Sequence, residues 1–177
     1  KTYTAYINLD NGKFVQLGDI DVPNVVVYNK QMADFVLVGN DKPYRIESQW
    51  NANRLTDIYL VNVNDGSRKL VMEKVCFGAT STSPNGKWVI IYDKNSRHWF
   101  QYTIATGEFK NLTESLGVAF HDEEHDTPNL ASPAGQTIWF EDNSAFVIGD
   151  KYDYWIFDPN GIESPKVFTD NYGRNNN

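Results

Sequence analysis

The sequence runs to 177 residues, 41% of them hydrophobic, and carries a formal net charge of −7. A chain of this length buries roughly 70% of the surface that its unfolded form exposes, so it forms a core without staples. Cys76 is alone, which excludes an intrachain disulfide, and its setting "KVCFGAT" reads as a half-buried strand in which the thiol packs. The acidic balance, with no offsetting run of Lys or Arg, argues against a nucleic-acid partner, and no apolar run approaches the roughly 18 residues of a membrane span. Lys1 opens directly into "TYTAYINL" with no charged-then-apolar leader, so any targeting signal is expected outside these residues.

Taken in chain order, the elements repeat. "AYINLDNGKFVQL" (Ala5 to Leu17) is an aromatic-rich alternating run, a tight turn ending in Gly12 and a shorter alternating run, which together read as a β-hairpin. The strands "NVVVYN" and "ADFVLVGN" follow, then a long connection from Asp41 to Asp57 and a second hairpin, Ile58 to Val71, turning at Gly66. "VCFGATSTS" and "GKWVIIYD" lead to a third hairpin, Trp99 to Thr113, turning at Gly107. Between those two strands, Pro84 and Asn85-Gly86 supply a turn. A second long connection, "SLGVAFHDEEHDTPNLASPAG", precedes "QTIWFED", "SAFVIGD" and a fourth hairpin, Tyr154 to Thr169, turning at Gly161. No stretch sustains a helical period.

Gly12 and Gly66 lie 54 residues apart, as do Gly107 and Gly161, while Gly66 and Gly107 are 41 apart; the two long connections account for the wider intervals. A unit of about 40 to 50 residues with four short strands is the period of a β-propeller blade. The expected fold is therefore all-β, a partial β-propeller of about three and a half blades of four-stranded antiparallel sheets. Its parts are a partial blade at about 1–18 and blades at about 24–73, 75–113 and 135–169. Tryptophan and tyrosine recur at equivalent positions, where large flat side chains fill the wedge between twisted sheets. An open arc leaves its end blades without neighbours, so the chain is expected to be a fragment of a longer protein, able to self-associate through open blade edges.

Two stretches carry chemistry-bearing residues. His121-x-x-Glu124-His125 has the spacing of a zinc-peptidase clamp, in which two imidazoles hold the metal and the carboxylate handles a proton. That clamp needs a helix, and Gly117 before it, Pro128 after it and the lack of an apolar stripe disfavour one, so the stretch reads as a solvated acidic loop. No metal or other cofactor is expected. The connection from Asp41 to Asp57 gathers Arg45, Glu47, Trp50 and Arg54, a composition common on binding surfaces. Its plain alternative has Trp50 packed under its own loop and the arginines paired with nearby acids. Asn111-Leu112-Thr113 matches a glycosylation acceptor but sits in the strand repeat.

The stretches "FVLVGNDKPYRIESQWNANRLTDIYLVNVNDGSRKLV", "STSPNGKWVIIYD", "KNLTESLGVAFHDEEHDTPN" and "DKYDYWIFDPNG" with "NYGRNN" resemble the amino-terminal propeller of bacterial prolyl oligopeptidase family serine peptidases, in the dipeptidyl peptidase-like form common among Bacteroidetes. The resemblance covers about Phe35 to Asn176. It departs after "DTPN", where a glycine-aromatic run is expected and "LASPAGQTIWFED" stands.

The resemblance implies a propeller seated over an α/β-hydrolase domain, with peptide substrates reaching that domain through the parent protein, in the periplasm or at the cell surface. Its partners are then the missing blades and the carboxyl-terminal hydrolase domain of the same polypeptide. Dipeptidyl peptidases of this family grip a substrate ammonium with paired glutamates, which makes Glu123 and Glu124 candidates, although the residues around them do not match that motif. No G-x-S-x-G nucleophile elbow occurs in the chain, so no catalytic residue is carried over, and the expected enzyme is the parent rather than this segment. The reading is a non-catalytic propeller segment gating a serine peptidase. The alternatives are a stand-alone binding or scaffolding propeller and a zinc enzyme.

Overall fold

The structure is a computed structural model and describes residues 2–22, 25 and 34–176. The chain divides into two compact units, Lys1–Cys76 and Phe77–Asn177, both built of antiparallel strands. Apart from Val25, the expected strand "NVVVYN" lies outside the described residues.

In the first unit, β1 (Ala5–Ile7) and β2 (Phe14–Gln16) form the first hairpin, with Tyr6 opposite Val15. β3 (Phe35–Asn40) and β4 (Leu55–Asn62) pair along their whole overlap, and the opening half of β5 (Arg68–Thr82) adds to β4. Val15, Leu17, Val22, Val38 and Val61 form a core of small branched side chains, which pack densely on a pleated surface. Arg68 ties the hairpin to that core: one guanidinium nitrogen lies 2.9 Å from Asp19 Oδ2 and the other donates to the Leu17 carbonyl at 2.7 Å.

The second unit holds two ladders. The closing half of β5 pairs with β6 (Trp88–Asp93), followed by β7 (His98–Thr103) and β8 (Phe109–Asn111). β9 (Thr137–Trp139), β10 (Phe146–Gly149), β11 (Tyr154–Phe157) and β12 (Lys166–Val167) form the other, in the order β12-β11-β10-β9. Every residue of β6 is buried, as the unbroken apolar run from Trp88 to Tyr92 requires of a strand covered on both faces. Ile90, Tyr92, Trp99, Phe120, Phe146, Ile148 and Phe157 join in one core, with Phe146 stacked on Phe157 at 5.3 Å. Of the tryptophans and tyrosines expected to fill the wedge, Trp99 and Tyr92 are buried in this cluster, and phenylalanines supply its other buried rings.

Two features differ from the sequence reading. The runs "SRKLV" and "VCFGATSTS" are one 15-residue strand, β5, in which Cys76 is buried. The connection before β9 is also more than a solvated loop. Phe120 anchors it in the core, His121 bridges Pro133, and backbone bonds join Asp122 to Ser132 and Ala134 to Phe120. A single helical turn, α1 (Tyr172–Asn175), follows β12.

The hairpin turns at Gly12, Gly66 and Gly107 share one geometry, whereas the Gly161 amide bonds the Asp158 carbonyl three residues back. Gly66 and Gly107 have φ of 77° and 75°, and each donates its amide to the carbonyl four residues back, Asn62 and Thr103, at 2.8 and 2.7 Å. Glycine occupies this left-handed position without a Cβ penalty. The β6–β7 turn closes the same way, from the Arg97 amide to the Asp93 carbonyl at 2.9 Å, but with a side-chain-bearing residue at φ 62°. Gly107→Ala is therefore expected to destabilise the chain by about 1–2 kcal/mol, whereas Arg97→Gly raises its stability by about 0.5–1 kcal/mol. Urea unfolding midpoints measure both, and a fall for Arg97→Gly would contradict the strain argument.

Candidate functional site

The densest polar construction lies at the end of the β9–β12 ladder, where the β10–β11 turn meets the chain leaving β12. The turn is Asp150-Lys151-Tyr152-Asp153. Asp150 and Asp153 have side chains only 1% exposed, so their charges require partners. Asp150 Oδ1 accepts the amides of Tyr152 and Asp153 at 2.6 and 2.7 Å, and its Oδ2 accepts the Trp155 indole at 2.9 Å and Arg174 Nη2 at 2.7 Å. Asp153 Oδ1 accepts the Thr169 hydroxyl at 2.7 Å and the Gly173 amide at 3.0 Å, while its Oδ2 accepts the Arg174 amide at 3.2 Å. The Thr169 bond, joined by those two amides and the Arg174 charge, holds the Asp153 carboxyl below its ordinary range against the opposing effect of burial. Sequence reading passed over these residues, although both aspartates and the Gly-Arg pair stand in the quoted stretches.

The same contact recurs one ladder earlier. Thr113 Oγ1 accepts the Trp99 amide at 3.1 Å and sits 3.1 Å from His98 Nδ1, as Thr169 Oγ1 accepts the Tyr154 amide at 3.2 Å and donates to Asp153. The signal was the threonine ending both quoted hairpins, "KNLT" and "KVFT". In the first unit, Asp57 takes the corresponding place and accepts the Lys74 amide at 2.9 Å.

The residues of the Asp41 to Asp57 connection lie on two 3-10 turns, Lys42–Tyr44 and Glu47–Gln49. Arg45 forks onto Asp41 Oδ1 with Nη2 at 2.8 Å and Nε at 3.2 Å, and Glu47 Oε1 accepts the Asn51 amide group at 3.2 Å. Arg54 is exposed. Trp50 is 72% exposed and Ile46 71%, so Trp50 does not pack under its own loop. Tyr44 fastens the loop to the sheet by donating to Asp57 at 2.5 Å; burial, with this bond, pushes its phenol up to about 12.

The other candidate stretch is laid out differently. His121 lies in its bridge with Pro133, and burial, together with the Arg97 charge, lowers its pKa so that the neutral ring is favoured. His125 Nε2 stands 2.8 Å from the Asn129 carbonyl. Glu124 holds the Lys151 ammonium at 2.7 Å, and Glu123 is exposed beside it. Among the described residues, no three of His, Cys, Asp or Glu stand together as a metal-ligand set.

No family model matches the chain, and no curated protein matches it. Solved structures do. TolB from Acinetobacter baumannii aligns with a TM-score of 0.50 at 15% identity, covering 92% of this chain and 36% of that one. An auxiliary nutrient binding protein from Bacteroides thetaiotaomicron VPI-5482 gives 0.49 at 13% identity over 93% of this chain and 36% of that one. An acylaminoacyl peptidase gives 0.45 at 16% identity over 77% and 23%. The chain thus spans about a third or less of the length of these structures. At such identities the likeness is one of fold, and the TolB alignment carries it: the chain is an all-β, partial β-propeller.

The Asp153 carboxyl has its pKa depressed on folding, so its contribution to stability is complete above the unfolded value near 3.8 and disappears as pH falls through the lower folded value. The thermal stability of the chain is expected to fall below about pH 4, and Asp153→Asn should flatten that part of the profile. Asp150→Ala, which leaves the Trp155 indole and Arg174 without their buried acceptor, is expected to cost about 2–4 kcal/mol. A loss under 0.5 kcal/mol in urea unfolding would contradict this.

Proposed function

We propose that this chain is the non-catalytic propeller segment of a prolyl oligopeptidase-like serine peptidase, gating peptide access to a hydrolase domain carried outside these residues. The propeller fold and the sequence resemblance support the reading together. The observation that carries it is that "DKYDYWIFDPNG" and "NYGRNN", two of the non-generic stretches behind the resemblance, are not surface decoration. They meet as the Asp150, Asp153, Trp155, Gly173 and Arg174 cluster, so the shared residues encode one piece of architecture. The chain itself has no nucleophile elbow.

The proposed setting is the periplasm or the cell surface, and among the described residues no helix is long and apolar enough to cross a membrane. The remaining blades and the hydrolase domain are the proposed partners. Glu123, Glu124 and the Asp41 to Asp57 connection are the proposed peptide-facing elements.

The second reading, a binding propeller with no enzyme attached, is favoured by one observation: Ile46 and Trp50 stand in water on a loop whose turns are internally bonded. Pre-ordered aromatic anchors of this kind are typical of binding hot spots.

The purified chain is expected to take no label from a serine-reactive phosphonate and to leave proline-containing peptides uncut, whereas the full reading frame through and beyond Asn177 takes the label on a serine outside these residues. Labelling of the 177-residue chain itself would sink the proposal, and a full-length product without a reactive serine would favour the binding module. Trp50→Ala is expected to change stability by no more than about 0.5 kcal/mol, as for a side chain in solvent, while raising the parent's KM for peptides. A large loss of stability would mean that Trp50 packs rather than binds.

A further inference from the structure

The segment after β12 is held in an unusual way. From Asp170 to Asn176 every side chain position is exposed except Gly173, and Tyr172 is 73% exposed, so the segment buries no apolar side chain of its own. Its backbone is strained, with Asp170 and Asn171 both left-handed at φ 55° and 59°. What retains it is the polar contact with the two buried aspartates.

Those contacts read a dipeptide. A Cβ on Gly173 would fall 1.9 Å from the Tyr152 carbonyl oxygen, so no side chain fits there without a shift of backbone. Asp153 takes the Gly173 and Arg174 amides with its two oxygens. The guanidinium then meets three groups: Nη2 bonds Asp150 at 2.7 Å, Nε lies 3.9 Å from Asp153 Oδ2, and Cζ stands 5.0 Å over the Tyr152 ring. A planar, delocalised cation satisfies a carboxylate and an aromatic face at once, which an ammonium on a flexible stem does less well.

We propose that Asp150, Tyr152 and Asp153 form a recognition site for a Gly-Arg segment, filled in cis by Gly173-Arg174, and that the chain from Thr169 to Asn176 is a displaceable strap. The occupant in trans is a peptide carrying the same dipeptide. The polar retention makes displacement feasible: the contacts exchange one arginine for another, and among the described residues the segment has no buried apolar side chain to withdraw. This inference goes beyond the gating role and holds whether or not a hydrolase is attached.

The test uses the full chain, its Arg174→Ala variant and the probe peptide acetyl-Asn-Tyr-Gly-Arg-Asn-amide, followed by NMR at the Trp155 indole, whose hydrogen donates to Asp150. The probe is expected to shift the indole of the variant saturably toward its wild-type position. Probes with alanine for glycine or lysine for arginine should bind at least tenfold more weakly. Wild-type chain, with its site filled, should also bind the probe at least tenfold more weakly than the variant. No saturable shift in a folded variant, or equal binding of all three probes, would overturn the proposal.

Hydrogen exchange of the wild-type chain gives a reading that does not depend on the variant folding. The Gly173 and Arg174 amides should exchange faster than those of β10 and β11, reporting local release of the strap. Exchange of both sets only through global unfolding would overturn the inference.

Discussion

In the second unit each ladder is closed by a polar side chain at the start of its third strand that meets the chain leaving its fourth, and in the first unit Asp57 of β4 makes a like contact with the backbone of β5. Asp57 takes the Lys74 amide, His98 meets Thr113, and Asp153 meets Thr169, Gly173 and Arg174. The fourth strands need this help. β8 has three residues and β12 two, too few ladder bonds to hold an outer strand against fraying. A clasp beyond the last pair supplies bonds that the strand itself lacks, and it fixes the direction in which the chain departs.

The clasps work because their surroundings are dry. Trp99, Phe120, Phe146 and Phe157 fill the interior of the second unit with flat rings, and the clasp residues sit at the rim of that core. Asp150, nearly fully buried, would be a liability without four donors; with them it orders the turn, the indole of Trp155 and the strap together. The aromatic residues therefore serve two purposes, excluding water and making each polar contact count for more.

The organisation of the fold was legible in the sequence because its signals are local. Strand alternation and the turn glycines follow from chain stereochemistry, and Gly66 and Gly107 occupy the left-handed positions that the repeat assigned to them. Arg97 was missed because it fills the same turn position without being glycine. The continuity of β5 was missed because nothing in "VMEKV" distinguishes a pause between strands from a bulge, which here falls opposite Thr56 and Ile58. The clasps were invisible for a different reason: Asp153 and Arg174 are 21 residues apart, and only folding makes their complementarity apparent. His121 and His125 show the converse, a recognised spacing whose chemistry depends on a helix; here the backbone of His121 is extended in a bridge.

The connection between β3 and β4 gains meaning from the same comparison. The equivalent links are four residues in both other ladders, Lys94 to Arg97 between β6 and β7 and Asp150 to Asp153 between β10 and β11. A short turn therefore suffices for the architecture, and the far longer stretch between Asn40 and Leu55 is an addition to it. It is not a loose addition. Tyr44 reaches the clasp residue Asp57 and shares its Oδ1 with the Lys74 amide, so the loop is wired to the contact that Asp57 makes with β5. A phenol with its pKa raised by burial and by that carboxylate stays a neutral donor across the ordinary pH range, so titration there does not break the bond. An element unnecessary for the fold, yet fastened to the Asp57 contact and holding Trp50 outward, is where selection for contact rather than stability would act.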